Sequence, residues 1–288
     1  LNNTALFDGG AIGNYGNTIV ANGVLFQGNK AQLAPEDNEN QIGGGAISLG
    51  SESNTTMVNT DFIGNESGYN GGAIGTRLAN RTNGTKNNNS LATLKISGGK
   101  FTGNKANGYK NAEGKQVAGN GGAIYNTFYA DVVVEDVDFE DNYAAKNGGA
   151  IYNDGTADEN GKGGVMTIAG SSFEGNEASR GGAIFNGAGK MDILGTADKR
   201  VVFEDNKAYV GGAFTDVYTD NAETFIKGAL FEENHAGADA GAAGFYGKVD
   251  VENTIFRENT AAITVDGVTA DVGNSDGGGA ILVGGTSD

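Results

Sequence analysis

The side chains best suited by type to chemistry in this 288-residue chain are one aspartate, one histidine and a dispersed set of acids. Glycoside hydrolysis takes two carboxylates held at a defined separation. Asp61, in Asn59-Thr60-Asp61, offers one, but no Asp-Asp pair occurs and the other acids are spread along the chain. His235 is the only histidine, so it cannot by itself build a histidine-based triad or a zinc site. The glycine-rich stretches are not followed by Gly-Lys-Ser/Thr, which a phosphate loop needs. Cysteine is absent, which removes disulfides and thiolate metal sites. No catalytic residue, cofactor or metal ligand set is therefore expected.

The cations are more informative. Eight lie between Arg77 and Lys115 with Glu113 as the sole acid among them, giving that segment +7 within a chain of formal charge −17. Arg77, Arg81, Lys86, Lys105, Lys110 and Lys115 sit in or beside the longest insertions and are the candidate contacts for an anionic ligand. The alternative is a solvated, lysine-rich pair of loops. The overall acidity argues against nucleic acid as a partner, because phosphate contact requires a cationic surface. No run of about 18 apolar residues is present to span a bilayer as a helix.

What must position these residues is a repeat. Phe-x-x-Asn recurs eight times, at Phe26/Asn29, Phe62/Asn65, Phe101/Asn104, Phe139/Asn142, Phe173/Asn176, Phe203/Asn206, Phe231/Asn234 and Phe256/Asn259. Gly-Gly-Ala-Ile or a close variant begins at Gly9, Gly44, Gly71, Gly121, Gly148, Gly181, Gly211 and Gly278, with a degenerate copy at Gly241. A third strand-like piece with alternating polarity separates them, as in Val165-Met166-Thr167-Ile168. The motifs are constant while the spacing between copies runs from 25 to 39 residues. Constant motifs with variable spacing mean a fixed cross-section with loops of changing length.

The expected fold is all-β: a right-handed parallel β-helix of about eight or nine coils, three short strands per coil, with residues 1–288 forming one domain. Each strand pairs with its copy about 4.8 Å above, and right-handed winding is the usual hand of parallel crossovers. The phenylalanines point inward and stack. Asn stands three residues later, so the chain must bend between the two for Asn to face inward as well. The intervening pairs, such as Gln-Gly, Glu-Asp and Glu-Glu, suit a corner. The asparagines then satisfy corner backbone groups and form an amide ladder. Asn65 also opens an Asn-x-Ser sequon, but its place in the ladder should make it inaccessible. The residue after each Asn varies freely and should face outward; His235 occupies that position.

Tandem Gly-Gly-Ala-Ile and Phe-x-x-Asn resemble the repeats of the polymorphic outer membrane proteins of chlamydiae, from Gly9 to Ile281. The resemblance implies an autotransporter-like architecture with a β-helical passenger at the bacterial surface. It implies an adhesin, with a host-cell protein, a glycan or a sister cell as partner, and it carries no catalytic residues. The chain opens and closes mid-pattern, so it reads as a fragment of a longer passenger anchored to the outer membrane by a missing C-terminal region, with no membrane contact of its own. The rival readings are a polysaccharide-cleaving enzyme fragment and a structural spacer. Asn59-Thr60-Asp61 matches the first motif of polygalacturonases, but their Asp-Asp, Gly-His-Gly and Arg-Ile-Lys motifs are missing.

Overall fold

The computed structural model describes residues 1–14, 16–32, 43–50, 53–76, 93–126, 131–153, 165–187, 189–217, 222–261 and 278–284, and the backbone of the strands Thr264–Val265 and Val268–Thr269. Among them there is no helix. The chain is a parallel β-helix whose walls are four ladders, two of nine strands and two of eight. Every pairing between coils is parallel and links each strand to its counterpart in the next coil.

Four ladders correct the expected three strands per coil. The bend between Phe and Asn is sharp enough to cut one motif into two strands, such as Ser172–Glu174 and Glu177–Arg180. The residue just before each Asn has positive φ in all eight copies, from +52° to +64°. Glycine fills that place in Gly28, Gly64, Gly103 and Gly175, and acids fill it in Asp141, Asp205, Glu233 and Glu258. A left-handed residue reverses the side-chain direction between Phe and Asn, so both face the interior.

The phenylalanines form one column. Phe26 through Phe256 pair in register, with neighbouring rings 4.4 to 5.0 Å apart and within 11° of parallel. Phe62, Phe101, Phe139, Phe173, Phe203 and Phe231 are wholly buried. The ring spacing follows from the rung spacing, and each stacked pair adds about 0.5–1.5 kcal/mol beyond area burial. Ile47, Ile74, Ile124, Ile151 and Ile184 make a parallel column on the Gly-Gly-Ala wall. In the degenerate copy Ala243 replaces this isoleucine, and Phe214 and Phe245 fill the interior around it, tilted at 44°.

The asparagines form a second column: Asn29, Asn65, Asn104, Asn142, Asn176, Asn206, Asn234 and Asn259. In the first seven, Nδ2 donates to the Oδ1 of the next Asn at 2.8 to 3.0 Å. That same Oδ1 also accepts the backbone N–H of the Asn below. The backbone groups these amides satisfy lie largely in neighbouring coils, beyond the corner that each Asn itself occupies. Asn65 Nδ2 donates to the Phe26 carbonyl at 3.0 Å, and Asn234 Nδ2 to the Phe203 carbonyl at 2.9 Å, each one coil below. The reason is the left-handed corner residue, which aims the carboxamide along the stack axis and away from its own turn. The ladder extends one rung further than expected, because Asn3 donates twice to Asn29 Oδ1. The signal was Asn3-Thr4-Ala5, the Asn-x-Ala half of the motif without its Phe.

Two more amide ladders were not anticipated. Asn126, Asn153 and Asn186 link at 2.7 and 2.9 Å at the end of the Gly-Gly-Ala-Ile-x-Asn segment. Asn147 donates to Asn120, and Asn120 to Asn70, with the opposite polarity, from the later coil to the earlier one. Their signal was an Asn directly before Gly-Gly-Ala.

Candidate functional site

The insertion after Asn104 builds an ordered arm. Lys105–Ala106 pairs in the column with Glu66–Ser67 below and Tyr143–Ala144 above. The chain then leaves the wall at Asn107-Gly108, where Gly108 has φ +57°. Tyr109–Lys110 pairs antiparallel with Gln116–Val117. The turn between them is closed by Asn111: its N–H donates to the Lys115 carbonyl at 3.0 Å, and its side-chain oxygen accepts the Lys115 N–H at 2.9 Å.

The hairpin is tied to both neighbouring coils. Asn107 Nδ2 donates to Glu66 Oε1 at 2.8 Å, and Gly119 N–H donates to the Tyr69 carbonyl at 3.0 Å in the coil below. Lys146 N–H of the coil above donates to the Gly119 carbonyl at 2.9 Å. Gln116 Nε2 braces the arm at the Asn107 carbonyl. The Tyr69 and Tyr109 rings stack at 6.3 Å, and burial, followed by the neighbouring Tyr109, pushes the Tyr69 phenol up. Tyr69, Asn107 and Gln116 were not among the predicted site residues. Asn107-Gly108 was the turn signal available for them.

Lys105, Lys110 and Lys115 are all exposed on or beside this arm, with Glu113 at its tip. The structure thus brings together three of the six predicted contacts. Arg77, Arg81 and Lys86 lie outside the described residues. The other two cations of the +7 segment are dispersed: Lys95 is exposed on the wall of Thr93–Ser97, and Lys100 belongs to the phenylalanine wall. His235 stands in the outward column after Asn, 42% exposed, with Nδ1 2.6 Å from Thr260 Oγ1.

The ladder residues stand apart from any binding surface. Asn65 and Asn234 are wholly buried, as are Asn29, Asn104, Asn142, Asn176 and Asn206, so these side chains hold the scaffold together and cannot touch a ligand. Burial also closes the sequon at Asn65, whose amide is fully engaged by Phe26 and Asn104.

The phenylalanine wall has the opposite electrostatics to the hairpin. The residue after Phe faces outward, and in four successive coils it is Glu140, Glu174, Glu204 and Glu232, in direct register. Burial, then the flanking Glu174 and Glu232 and the corner acids Asp205 and Glu233, push the Glu204 carboxyl up. Arg257 ends the column on Glu232 at 2.5 Å. A lone carboxylate sits inside: Asp216 occupies the amide column above Asn186 and is 1% exposed. Its Oδ1 accepts the N–H groups of Tyr246 and Gly247, while Oδ2 has no partner among the described residues. Burial pushes this carboxyl up against the downward pull of those bonds.

Residues 98–127 and 136–154 match the Chlamydia polymorphic membrane protein repeat. The hairpin lies wholly inside the first matched repeat, and the second holds Phe139, Asn142 and Gly148-Gly149-Ala150. Each matched segment runs from a phenylalanine strand through the Gly-Gly-Ala corner and so covers three of the four walls of a turn. No curated protein and no solved structure matches the chain.

Proposed function

We propose that the chain is a non-catalytic adhesive module of a surface-displayed passenger, with the hairpin of residues 109–117 as a contact element. The observation that carries this reading is the hairpin itself. It is an insertion fastened at both sides to the coil wall, and it holds lysines into solvent that the solenoid does not use for its own packing. A rigid scaffold with function carried on inserted loops is how solenoids ordinarily bind. The surface family to which the repeat belongs supports display at the bacterial exterior.

The environment of Asp61 supports the same reading. Asp61 Oδ1 accepts the backbone N–H of Lys100 at 3.1 Å, and Lys100 stands in the strand between those of Asp61 and Asp138. That arrangement ties the carboxylate to the wall and offers it no partner carboxylate on the adjacent rung.

The test is adhesion. Beads coated with the chain should bind cultured epithelial cells more than beads coated with an unrelated acidic protein, and Lys105→Glu/Lys110→Glu/Lys115→Glu beads should bind less. Failure of the wild-type beads to adhere would overturn the reading. So would release of reducing ends from polygalacturonate that disappears in Asp61→Ala.

A further inference from the structure

We propose that the wall formed by the post-asparagine strands is a lengthwise cleft for a linear acidic polysaccharide, with the hairpin lysines at one end of it. This rests on the adhesive reading and assigns it a site and a ligand class.

The cleft is an open groove of about 670 Å³. One bank is the outward column Tyr143, Glu177, Lys207, His235 and Thr260, each in register with the next. The other bank is Ala145, Ser179, Tyr209 and Gly237, and the floor is Ala144, Ala178, Ala208 and Ala236. Five rungs span roughly 19 Å at one strand spacing each. The hairpin's return strand borders the first rung, where a Cβ at Gly119 would press on the Ala145 methyl.

Charge selects the occupant. Lys105, Lys110, Lys115, Lys146, Arg180 and Lys207 are exposed along this wall and its arm, and none of the six is in an ion pair among the described residues. A second depression, of about 440 Å³ on the wall of Lys190–Leu194, behaves differently. There the lysines are consumed internally, Lys248 by Glu223 at 2.7 Å and Lys190 by Asp192 at 3.5 Å. In a chain of net −17, six unconsumed cations along one wall and its arm, with Lys207 in the lining of the cleft, make a surface complementary to anions.

Shape narrows the choice. The banks are two residues apart on the same strands, with a buried alanine between them on each rung, so a rounded protein surface would ride over the groove, whereas a thin stiff polymer lies in it. Tyr209 is 52% exposed; away from the terminal coils, it and Val165, at 38%, are the exposed large hydrophobic side chains among the described residues. With Tyr143 on the facing bank it offers ring surface for the apolar face of a sugar, while Glu177, Ser179 and His235 offer hydroxyl partners. A polymer with a charge on each repeat unit meets both the groove and the lysines.

The test is fluorescence polarisation with labelled heparin-derived oligosaccharides, read against a neutral dextran oligosaccharide of equal length. The expected result is binding of an octasaccharide that weakens as sodium chloride is raised through the Debye-screening range, with a disaccharide bound about tenfold or more weakly. Lys207→Glu and Tyr209→Ala should each weaken the octasaccharide about tenfold with an unchanged melting temperature. The hairpin triple charge reversal should do so independently. Equal binding of dextran, equal binding of the disaccharide, or groove variants that bind like the wild type would overturn the proposal. So would an acidic polyglutamate peptide that binds where the glycan does not. Beads that still adhere to cells while heparin fails to bind would sink the cleft and leave the adhesive reading standing; loss of both would sink both.

Discussion

Asn142 gives both its backbone N–H and its Nδ2–H to one atom, Asn176 Oδ1, each at 3.0 Å. Its Nδ2 has a second hydrogen, which goes to the Phe101 carbonyl of the coil below at 2.9 Å. One carboxamide thus joins three successive rungs. The pattern repeats at Asn65, Asn104, Asn176, Asn206 and Asn234, and it requires the amide nitrogen and oxygen to face opposite ways along the stack.

Asn176→Ala therefore leaves the buried backbone N–H of Asn142, one of its two Nδ2 hydrogens and the Phe139 carbonyl without the partners that Asn176 supplies. The expected cost is about 1–3 kcal/mol, the penalty for unpaired buried groups. Asn176→Asp should be no rescue, because a carboxylate cannot donate to Phe139 or Asn206. Urea melts would check this; an Ala variant as stable as wild type would contradict the ladder.

Phe173→Ala removes a wholly buried ring with neighbours stacked on both faces, at 4.8 and 4.9 Å. The expected loss is roughly 3–5 kcal/mol. Phe256→Ala, at a partly exposed rung near the end of the stack, should cost clearly less. Chemical denaturation of the two variants reads the difference directly.

Gly149→Ala should be among the most damaging single-methyl additions. A Cβ there would run into the carbonyl oxygen of Gly182 in the next coil, so two rungs would have to part. Gly114→Ala at the hairpin tip meets no neighbour, and only the positive φ of +75° opposes it. Loss of soluble, melting-competent protein is expected for the first, and a shift of about 1 kcal/mol for the second.

Acidification should stabilise the middle of the solenoid. The Glu204 carboxyl is raised in the folded chain by burial, Glu174 and Glu232, so the folded state binds its proton more tightly than the unfolded state does. Stability is then lost as pH rises through the folded pKa and regained as pH falls through it. Thermal melts taken from neutral pH downward through the carboxylate range should rise, and Glu204→Gln should flatten that rise. Glu204→Gln should also raise neutral-pH stability by about 0.5 kcal/mol, the scale of a like-charge cross-strand contact. A melting temperature that falls on mild acidification in wild type but not in Glu204→Gln would contradict the register of the glutamates.

The phenylalanine and asparagine columns were legible in advance because a solenoid places equivalent positions one above another at each turn. A recurring Phe needs only that periodicity to be read as a stack. The direction of the amide bonds was not legible: nothing local to Asn65 or Asn234 says that its nitrogen reaches back to Phe26 or Phe203. The hairpin was legible only as an insertion of cations; nothing in Lys105–Asn120 announced that Asn107 would hold Glu66 or that Tyr109 would lie on Tyr69. The +7 segment was misleading as a single surface. Its lysines at 95, 100 and 105 are close in sequence, yet each belongs to a different wall.

The residue pattern alone therefore determined the coil, its vertical register and the contents of its interior, since motif identity is preserved only where identical side chains must touch. Tertiary structure decided what faces outward together. Each left-handed corner turns the chain, so neighbours in sequence part company and residues some 30 positions apart, such as Glu177 and Lys207, become neighbours on one wall. The groove, the glutamate column and the unpaired lysines exist only at that level, because they are made by lateral alignment of positions that the repeat leaves free to vary.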